Sequence, residues 1–179
     1  MPIMPRVEYV VFRILRLFGR LPLNRLVSFG VSPRTFADYF KDFGKVDAVR
    51  GIFGEKTEQV LRNLKVDLTW FGGYMFVNNS NGHLVISARY LNSGDKTDIY
   101  LDLIHELCHI KQLDEGQELF DSRYDYVDRP TEVEAYRYTV QEARRLGLSD
   151  ERICQYLKTE WMSDKDLKRL AEAVGVRYC

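Results

Sequence analysis

The chain has 179 residues, of which 45% are hydrophobic and 29% are charged, and its formal net charge at pH 7 is zero. Such a composition is typical of a globular protein with one core, and it excludes a disordered chain or a protein that coats nucleic acid through bulk positive charge. The three cysteines include no C-x-x-C pair, which argues against cysteine-ligated zinc and favours a reducing cytoplasm without a disulfide framework.

The N-terminal region, residues 1–54, is predicted to be helical. Residues 7–18 place their apolar side chains on one side of a helix, and the arginines within this run keep it well below the length that spans a membrane. We therefore predict no signal peptide and no transmembrane segment. We expect this helix to pack on its own domain rather than to lie on a membrane surface.

Residues 23–36 resemble a helix-turn-helix. The second helix is predicted to begin with Ser32 as N-cap and Pro33 in its first turn, and Arg34 and Lys41 could contact DNA phosphates. The aromatic residues that follow are typical of a core rather than of base recognition. A helical region that covers a catalytic domain is the favoured interpretation, and a DNA-binding regulator is the alternative.

A change of hydrophobic period marks the second predicted domain, residues 55–179. After a short helix, apolar and polar residues alternate over residues 65–70, which predicts a half-buried strand. Residues 74–77 and 83–90 predict two more strands, joined by a hairpin loop at residues 78–82. We predict an α+β fold in which a small, mostly antiparallel sheet of about three strands packs on the next helix, with additional helices at both termini.

That next helix carries the pentapeptide HELCH at positions 105–109, which fits the pattern H-E-x-x-H. The stretch holds no glycine or proline and its flanks are apolar, so we predict a buried helix with Thr97 or Asp98 as its N-cap. Because a helix turns by about 100° per residue, His105 and His109 project from one face, one turn apart.

This pair of imidazoles can hold two corners of a tetrahedral Zn²⁺ site. Glu106 is rotated away from the pair, and in a metallohydrolase it faces the zinc-bound water and takes its proton. Because zinc lowers the pKa of that water to about 7, a carboxylate can complete the deprotonation at neutral pH. The alternative is a structural histidine pair, but the chain has only three histidines and two of them are in this motif.

A catalytic zinc usually takes three protein ligands and a water, so a third ligand is expected downstream. A helix is predicted there, with Pro130 in its first turn and Gly147 after its end. Glu132 lies on the core-like face of this helix, whereas Glu134 lies on the solvent-like face, where it could pair with Arg137. Only a core-facing carboxylate can meet inward-facing histidines, so Glu132 is predicted as the third ligand and Glu134 is the alternative.

HELCH followed by Glu132-Val133-Glu134-Ala135 resembles the gluzincin branch of the zincin metallopeptidases, in particular the minigluzincins and the ImmA/IrrE-like peptidases. The resemblance covers residues 65–146. It implies zinc as the cofactor, a protein or peptide substrate, and a ligand role for the first glutamate of E-x-E-A. It also implies that one strand binds the substrate backbone above the metal, which we expect to be a strand of this hairpin, in the first place within residues 84–90. The chain departs from the pattern at Tyr136, where many gluzincins have Asp or Asn that orients a ligand histidine.

Other residues near the motif have less specific patterns. Residues 114–129 are acidic and aromatic, and they form a lid or a wall of the cleft, or a solvated loop, which is the favoured interpretation. A tyrosine could stabilise the oxyanion, and Tyr90, Tyr136 and Tyr138 are the candidates. His83 is expected at the surface.

The C-terminal region is predicted to form a helical hairpin. Ser149 and Ser163 each fit the N-cap of a helix, and Gly175 fits the end of the last one. The hairpin either completes the core or covers the metal site.

Taken together, these patterns predict a cytoplasmic zinc metallopeptidase that hydrolyses peptide bonds. The predicted metal ligands are His105, His109 and Glu132, and the predicted general base is Glu106.

Overall fold

The computed structural model of the protein describes residues 34–69 and 73–179. The predicted helix at residues 7–18 and the first helix of the predicted helix-turn-helix lie outside the described residues. The described helices and strands are β1 (Arg34–Thr35), α1 (Phe36–Tyr39), α2 (Asp47–Phe53), α3 (Thr57–Asn63), β2 (Lys65–Thr69), β3 (Met75–Asn78), β4 (His83–Ser87), α4 (Ala88–Ser93), α5 (Lys96–Asp114), α6 (Pro130–Arg145), α7 (Asp150–Leu157) and α8 (Asp164–Ala173). Single turns of 3₁₀-helix occur at Phe43–Lys45, Gly54–Lys56 and Tyr126–Asp128.

The fold is α+β, as predicted, and its sheet has four described strands in the order β1-β2-β4-β3. β1 pairs with β2 and β3 pairs with β4 in antiparallel fashion, whereas β2 and β4 are parallel. The sheet is thus mixed and has one strand more than expected. The difference arises because β3 lies on the outer side of β4 instead of pairing with β2, and because β1 is too short to show a period in the sequence.

The third predicted strand is shorter than expected. β4 ends at Ser87, whose side chain accepts a hydrogen bond of 3.3 Å from the backbone N–H of Tyr90 and so caps α4. β4 is also paired on both sides, with β2 and with β3. The expectation that residues 84–90 bind substrate backbone is therefore wrong, since a strand with two partners has no free hydrogen-bonding edge. Among the described strands, β3 and the two-residue β1 lie at the edges of the sheet.

Helix α5 lies between two hydrophobic clusters, and it is buried on most of its surface. On one side, Ile104 and Leu107 pack with the sheet and with α1, α2 and α3. On the other side, Leu101 packs with α6, α7 and α8. The N-cap is Asp95, not Thr97 or Asp98, and its carboxylate accepts hydrogen bonds from the backbone N–H groups of those two residues.

The helix predicted to recognise DNA is a short element of the core. It begins at Phe36 rather than after Ser32, because residues 34–35 are paired with β2. Phe36 is 0% exposed and Tyr39 is 8% exposed. Both belong to the same hydrophobic cluster as the sheet and α5, so the described residues before 54 share a core with those that follow.

The C-terminal helices begin where the sequence predicts. The side chains of Ser149 and Ser163 cap α7 and α8, and Gly175 follows α8 with a φ of 70°. Contrary to expectation, Cys154 and Cys179 form a disulfide, with their Cα atoms 5.9 Å apart. The spacing of the cysteines did not reveal it, because only the antiparallel return of α8 brings the end of the chain back to α7. None of the described helices is both long enough and apolar enough to cross a membrane.

Candidate metal centre

Two buried helices bring the three predicted metal ligands together. His105 and His109 lie one turn apart on α5 and are each 6% exposed. Glu132 lies in the first turn of α6, which starts at Pro130, and it is 5% exposed. Each of the three offers one ligand atom, and the three residues form a group that could hold a metal ion.

The distances between these atoms suit a tetrahedral metal ion. The Nε2 atoms of His105 and His109 are 3.0 Å apart. Oε2 of Glu132 lies 3.2 Å from Nε2 of His105 and 3.5 Å from Nε2 of His109. With zinc–ligand bonds of about 2.0–2.2 Å, the corners of a tetrahedral site are about 3.3–3.6 Å apart. Three corners of such a site are therefore within a few tenths of an ångström of the observed arrangement.

Oε2 of Glu132 is buried and has no hydrogen-bond partner within normal geometry. A buried carboxylate oxygen without a partner is costly, because burial removes it from water. The oxygen is instead directed towards the two imidazole nitrogens. The donor set, two nitrogens and one carboxylate oxygen, is one that Zn²⁺ accepts in catalytic sites. The residues present therefore fit a zinc ion.

His109 is held by a chain of polar side chains. Its Nδ1 lies 2.7 Å from Oε1 of Gln112, and Nε2 of Gln112 donates to the carbonyl of Thr131 and to Oε2 of Glu134. Glu134 also accepts a hydrogen bond of 2.8 Å from Lys111. Because the amide oxygen of Gln112 can only accept, Nδ1 of His109 carries a proton, and Nε2 is the ring nitrogen directed into the site.

Glu134 thus supports the site from outside the group of three. It pairs with Lys111 rather than with Arg137, whose guanidinium donates to the carbonyl of Ala173. Gln112 was not predicted as part of the site. Its spacing of three residues after His109 is the only signal for it, and that spacing is common on helices.

Burial and charge set the protonation of the four central groups. Burial lowers the pKa of His105. Burial would also lower that of His109, but Glu132 and Glu106 raise it to about 9. Burial would raise the pKa of Glu132, but the two imidazoles hold it well below its usual range. Burial raises the pKa of Glu106 to about 8. In the absence of a metal ion, the anion of Glu132 is therefore balanced by the cation of His109.

Glu106 lies in an open cavity of about 170 Å³ beside the three candidate ligands. The cavity is bordered by the edge strand β3, by α5, by the start of α6 and by the segment that joins the two helices. Its lining residues are Met75, Phe76, Val77, His105, Glu106, His109, Leu119, Phe120, Tyr126 and Glu132. A substrate group in this cavity would contact both the metal ligands and the Glu106 carboxyl group.

The segment between α5 and α6 forms a wall of this cavity, which was one alternative for residues 114–129, rather than the favoured solvated loop. Leu119 and Val127 are buried and anchor it to the domain. Phe120 is 56% exposed at the cavity, opposite Phe76, which is 51% exposed. The rim of the site is therefore apolar on both sides.

None of the three tyrosines considered for oxyanion stabilisation lines the cavity. A different tyrosine, Tyr126, does. Tyr136 packs its ring 4.4 Å from that of His105, Tyr90 donates to Asp102, and Tyr138 lies beneath Lys111. The hydroxyl of Tyr126 lies 3.0 Å from that of Tyr136. Tyr126 precedes α6 in an irregular segment, where no sequence period could indicate its direction.

The remaining histidine is away from the site. His83 lies at the start of β4, partly exposed, with its Nδ1 2.8 Å from a carboxylate oxygen of Asp67 on the neighbouring strand β2. No residue of α7 or α8 lines the cavity, but Trp161, in the turn between them, packs its ring 4.7 Å from that of the lining residue Tyr126. The hairpin packs behind α5 and α6.

No protein-family model, curated protein or solved structure matches the chain.

Proposed function

We propose that the protein is a zinc-dependent metallopeptidase of the gluzincin type, with His105, His109 and Glu132 as its metal ligands. Oε2 of Glu132 carries this proposal. It is buried without a hydrogen-bond partner, and it lies 3.2 Å and 3.5 Å from the two Nε2 atoms. A divalent cation at the point where the three atoms converge would give this oxygen the partner that burial demands.

Glu106 would be the general base. A bound Zn²⁺ polarises a carbonyl oxygen and lowers the pKa of water to about 7. The Glu106 carboxylate lines the same cavity, where it would take a proton from the attacking water and pass it to the leaving amine. Its pKa, raised by burial to about 8, suits a group that must accept and return a proton near neutral pH.

Tyr126 would donate a hydrogen bond to the developing oxyanion. Of the residues that line the cavity, it alone carries a hydroxyl group. Burial, together with the nearby Tyr136 and Glu132, raises the pKa of Tyr126 well above its usual value. The phenol therefore keeps its proton throughout the neutral range and remains a donor.

The substrate class follows from the edge strand and the lining. The backbone groups on the outer side of β3 are unpaired among the described strands, so an extended peptide could add there as a further strand. The apolar residues Phe76 and Phe120 flank the same cavity. A peptide in extended conformation would thereby present its carbonyl to the metal ligands and to Glu106.

The disulfide bears on where the protein works. Disulfides are rare in the reducing cytosol of mesophiles. The bond between Cys154 and Cys179 therefore argues against the predicted cytoplasmic location.

Zinc content and peptide hydrolysis test the proposal together. We expect about one zinc per chain in the native protein, and cleavage of peptides in a mixed library followed by mass spectrometry. Glu132→Gln should lose the metal, whereas the matched variant Glu134→Gln should keep it, since Glu134 lies outside the group of three. Glu106→Gln should keep the metal and lose at least about 100-fold in turnover, because it lacks the base.

Two results would contradict the proposal. A native protein that takes up no zinc when the metal is added would leave HELCH as a structural histidine pair. A Glu106→Gln variant that remains fully active would exclude this carboxylate as the base.

A further inference from the structure

The turn that carries Tyr126 is too short to fix the direction of its own side chains. Tyr126–Asp128 is a single turn of 3₁₀-helix, closed by two backbone hydrogen bonds of 3.0 Å and 3.3 Å. Residues 121–125, which precede it, belong to no helix or strand. One helical turn has little stability of its own. The orientation of Tyr126 in the cavity therefore depends on contacts with the rest of the protein.

The C-terminal hairpin supplies several of those contacts. Helix α8 lies against the turn, and Val127 is buried in the hydrophobic cluster that includes α7 and α8. Trp161, between these two helices, places its ring 4.7 Å from that of Tyr126 at an interplanar angle of 85°. This edge-to-face arrangement is a favourable one for aromatic rings. Val127 thus anchors the turn, and Trp161 packs against the ring that lines the cavity.

Arg169 of α8 bridges the two ends of the same turn. Its Nη2 lies 3.1 Å from Oδ2 of Asp125, and its Nη1 lies 3.3 Å from Oδ2 of Asp128. Asp125 immediately precedes Tyr126, and Asp128 is the last residue of the turn. Asp166, one turn earlier on α8, accepts a further hydrogen bond of 3.1 Å from Nη2. A planar guanidinium that binds both ends restrains the turn from rotating about its buried anchor.

The packing of the hairpin itself does not require either side chain. Trp161 is 62% exposed, which makes it the most exposed of the large hydrophobic side chains that the structure describes. The ion pairs of Arg169 are partly exposed, and such pairs contribute little to overall stability. The two side chains instead converge on one turn, the turn that carries the cavity residue Tyr126.

We infer that Trp161 and Arg169 are positioning residues, which hold the turn so that the hydroxyl of Tyr126 is presented to the cavity. This inference rests on the proposed function, and it gives the C-terminal hairpin a part in the peptidase site although α7 and α8 do not line the cavity. The hydroxyl of Tyr136 lies 3.0 Å from that of Tyr126. With Tyr136 as the donor of this bond, the proton of Tyr126 is free for an oxyanion.

Steady-state kinetics on a peptide that the native protein cleaves test the inference. We expect Tyr126→Phe to lower kcat by roughly 100-fold, the loss found when one oxyanion donor is removed. Arg169→Gln and Trp161→Ala should each lower kcat by roughly 10-fold, because displacing a catalytic group by about 1 Å is already costly. KM and zinc content should stay near native, since neither residue lines the cavity. Trp161→Phe should retain most of kcat, because it keeps an aromatic ring against Tyr126.

A double variant separates positioning from a general structural role. If Arg169 acts through the Tyr126 hydroxyl, Arg169→Gln should cause no further loss of kcat in the Tyr126→Phe protein. A role in stability alone would produce the same loss in both backgrounds.

The matched control is Arg144→Gln. Arg144 also binds the hairpin region, through Asp150 at 3.2 Å and through the carbonyl of Gly175. Within the described part of the chain, none of its hydrogen bonds or ion pairs reaches the Tyr126 turn. This variant should keep the native kcat.

Hydrogen exchange gives a measure that does not depend on activity. The backbone N–H groups of Asp128 and Arg129 donate to the carbonyls of Asp125 and Tyr126 within the turn. Exchange at these two amides, followed by NMR, should be several-fold faster in Arg169→Gln and native in the control.

The outcomes separate the two proposals. Native kcat in Arg169→Gln and Trp161→Ala, or native exchange in Arg169→Gln, would overturn this inference and leave the peptidase intact. Equal losses of kcat in the two Tyr126 backgrounds would also overturn it. A native protein that binds zinc but cleaves no peptide would overturn both proposals. If Trp161→Ala does not fold, Arg169→Gln decides, since it removes only partly exposed ion pairs.

Discussion

His109 is the group whose charge must change when a metal ion binds. Burial opposes its protonation, but Glu132 and Glu106 raise its pKa to about 9, so the imidazole is charged at pH 7 in the metal-free protein. Burial lowers the pKa of His105, which is therefore neutral at the same pH. If the proposed zinc site is correct, the ion needs the lone pair of His109 and would displace that proton, so affinity should rise with pH up to about 9 and fall as the solution is acidified.

We expect about one proton to be released per zinc bound near pH 7. Isothermal titration calorimetry in buffers of different ionisation enthalpy measures that number. Glu134→Gln is the control, because it leaves the charges around His109 close to native. A binding reaction that releases no proton at pH 7 and keeps the same affinity at pH 6 and 8 would contradict this prediction.

The position of Glu132 shows what a helical period can predict. The face argument placed Glu132 on the core-facing side of its helix, and the structure has Glu132 buried and grouped with the two histidines. The helical period could not predict which side chains contact the histidines and Glu132. Gln112 contacts His109 from the same helix but depends on Glu134 of another, and Tyr126 belongs to a segment without a period.

Helix α5 depends on its first turn as well as on its apolar faces. Asp95 accepts hydrogen bonds of 2.9 Å and 3.1 Å from the backbone N–H groups of Thr97 and Asp98. We expect Asp95→Ala to lower the midpoint of thermal unfolding by about 3 °C, because two N–H groups lose their acceptor. Circular dichroism at 222 nm measures the shift.

The matched variant is Asp95→Asn. Asparagine caps a helix as well as aspartate does, but it cannot form the ion pair that Asp95 makes with Arg152 at 3.4 Å. It should unfold within about 1 °C of the native protein. An equal loss in both variants would attribute the effect to the ion pair instead of the cap.

The strands illustrate the limit of local patterns. Alternation predicted β2, β3 and β4 near their observed positions. It could not predict that β3 lies outside β4, because the order of strands depends on which faces find a partner across the sheet. Alternation also could not predict that β4 ends at Ser87, since a serine in an apolar run is compatible with both a strand and an N-cap.

At the scale of the whole molecule, a disulfide bond links the two ends of the C-terminal hairpin region. Cys154 and Cys179 are separated by 25 residues in sequence and are joined by a disulfide. Closing a loop of that length restricts the unfolded chain, and the chain-entropy estimate of the stabilisation is about 3 kcal/mol. We expect Cys179→Ser to lower the unfolding midpoint by about 10 °C.

Reduction of the native protein by dithiothreitol should reproduce that loss, whereas Cys108→Ser is the control for a cysteine that forms no disulfide. A native protein whose midpoint is the same with and without dithiothreitol would show that the bond does not stabilise the fold.

The fold class and the motif helix followed from the sequence because both depend on local periods and on their burial. The disulfide and the inward packing of α1 did not, because each requires knowing which distant elements meet. Phe36 is an example: its position after the predicted helix-turn-helix turn suggested a second helix, but its complete burial depends on packing with α3 and on a cluster shared with the sheet.

The free edge of β3 also has a consequence for handling the protein. Native sheets protect such edges with charged residues or proline, and Met75-Phe76-Val77-Asn78 contains neither. We expect that two molecules could pair along this edge, with the exposed Phe76 adding an apolar contact. Concentrated solutions would lose monomer to self-association, and a peptide that occupies the edge would restore it. Under the proposed function, solubility and substrate recognition would compete for one row of backbone groups.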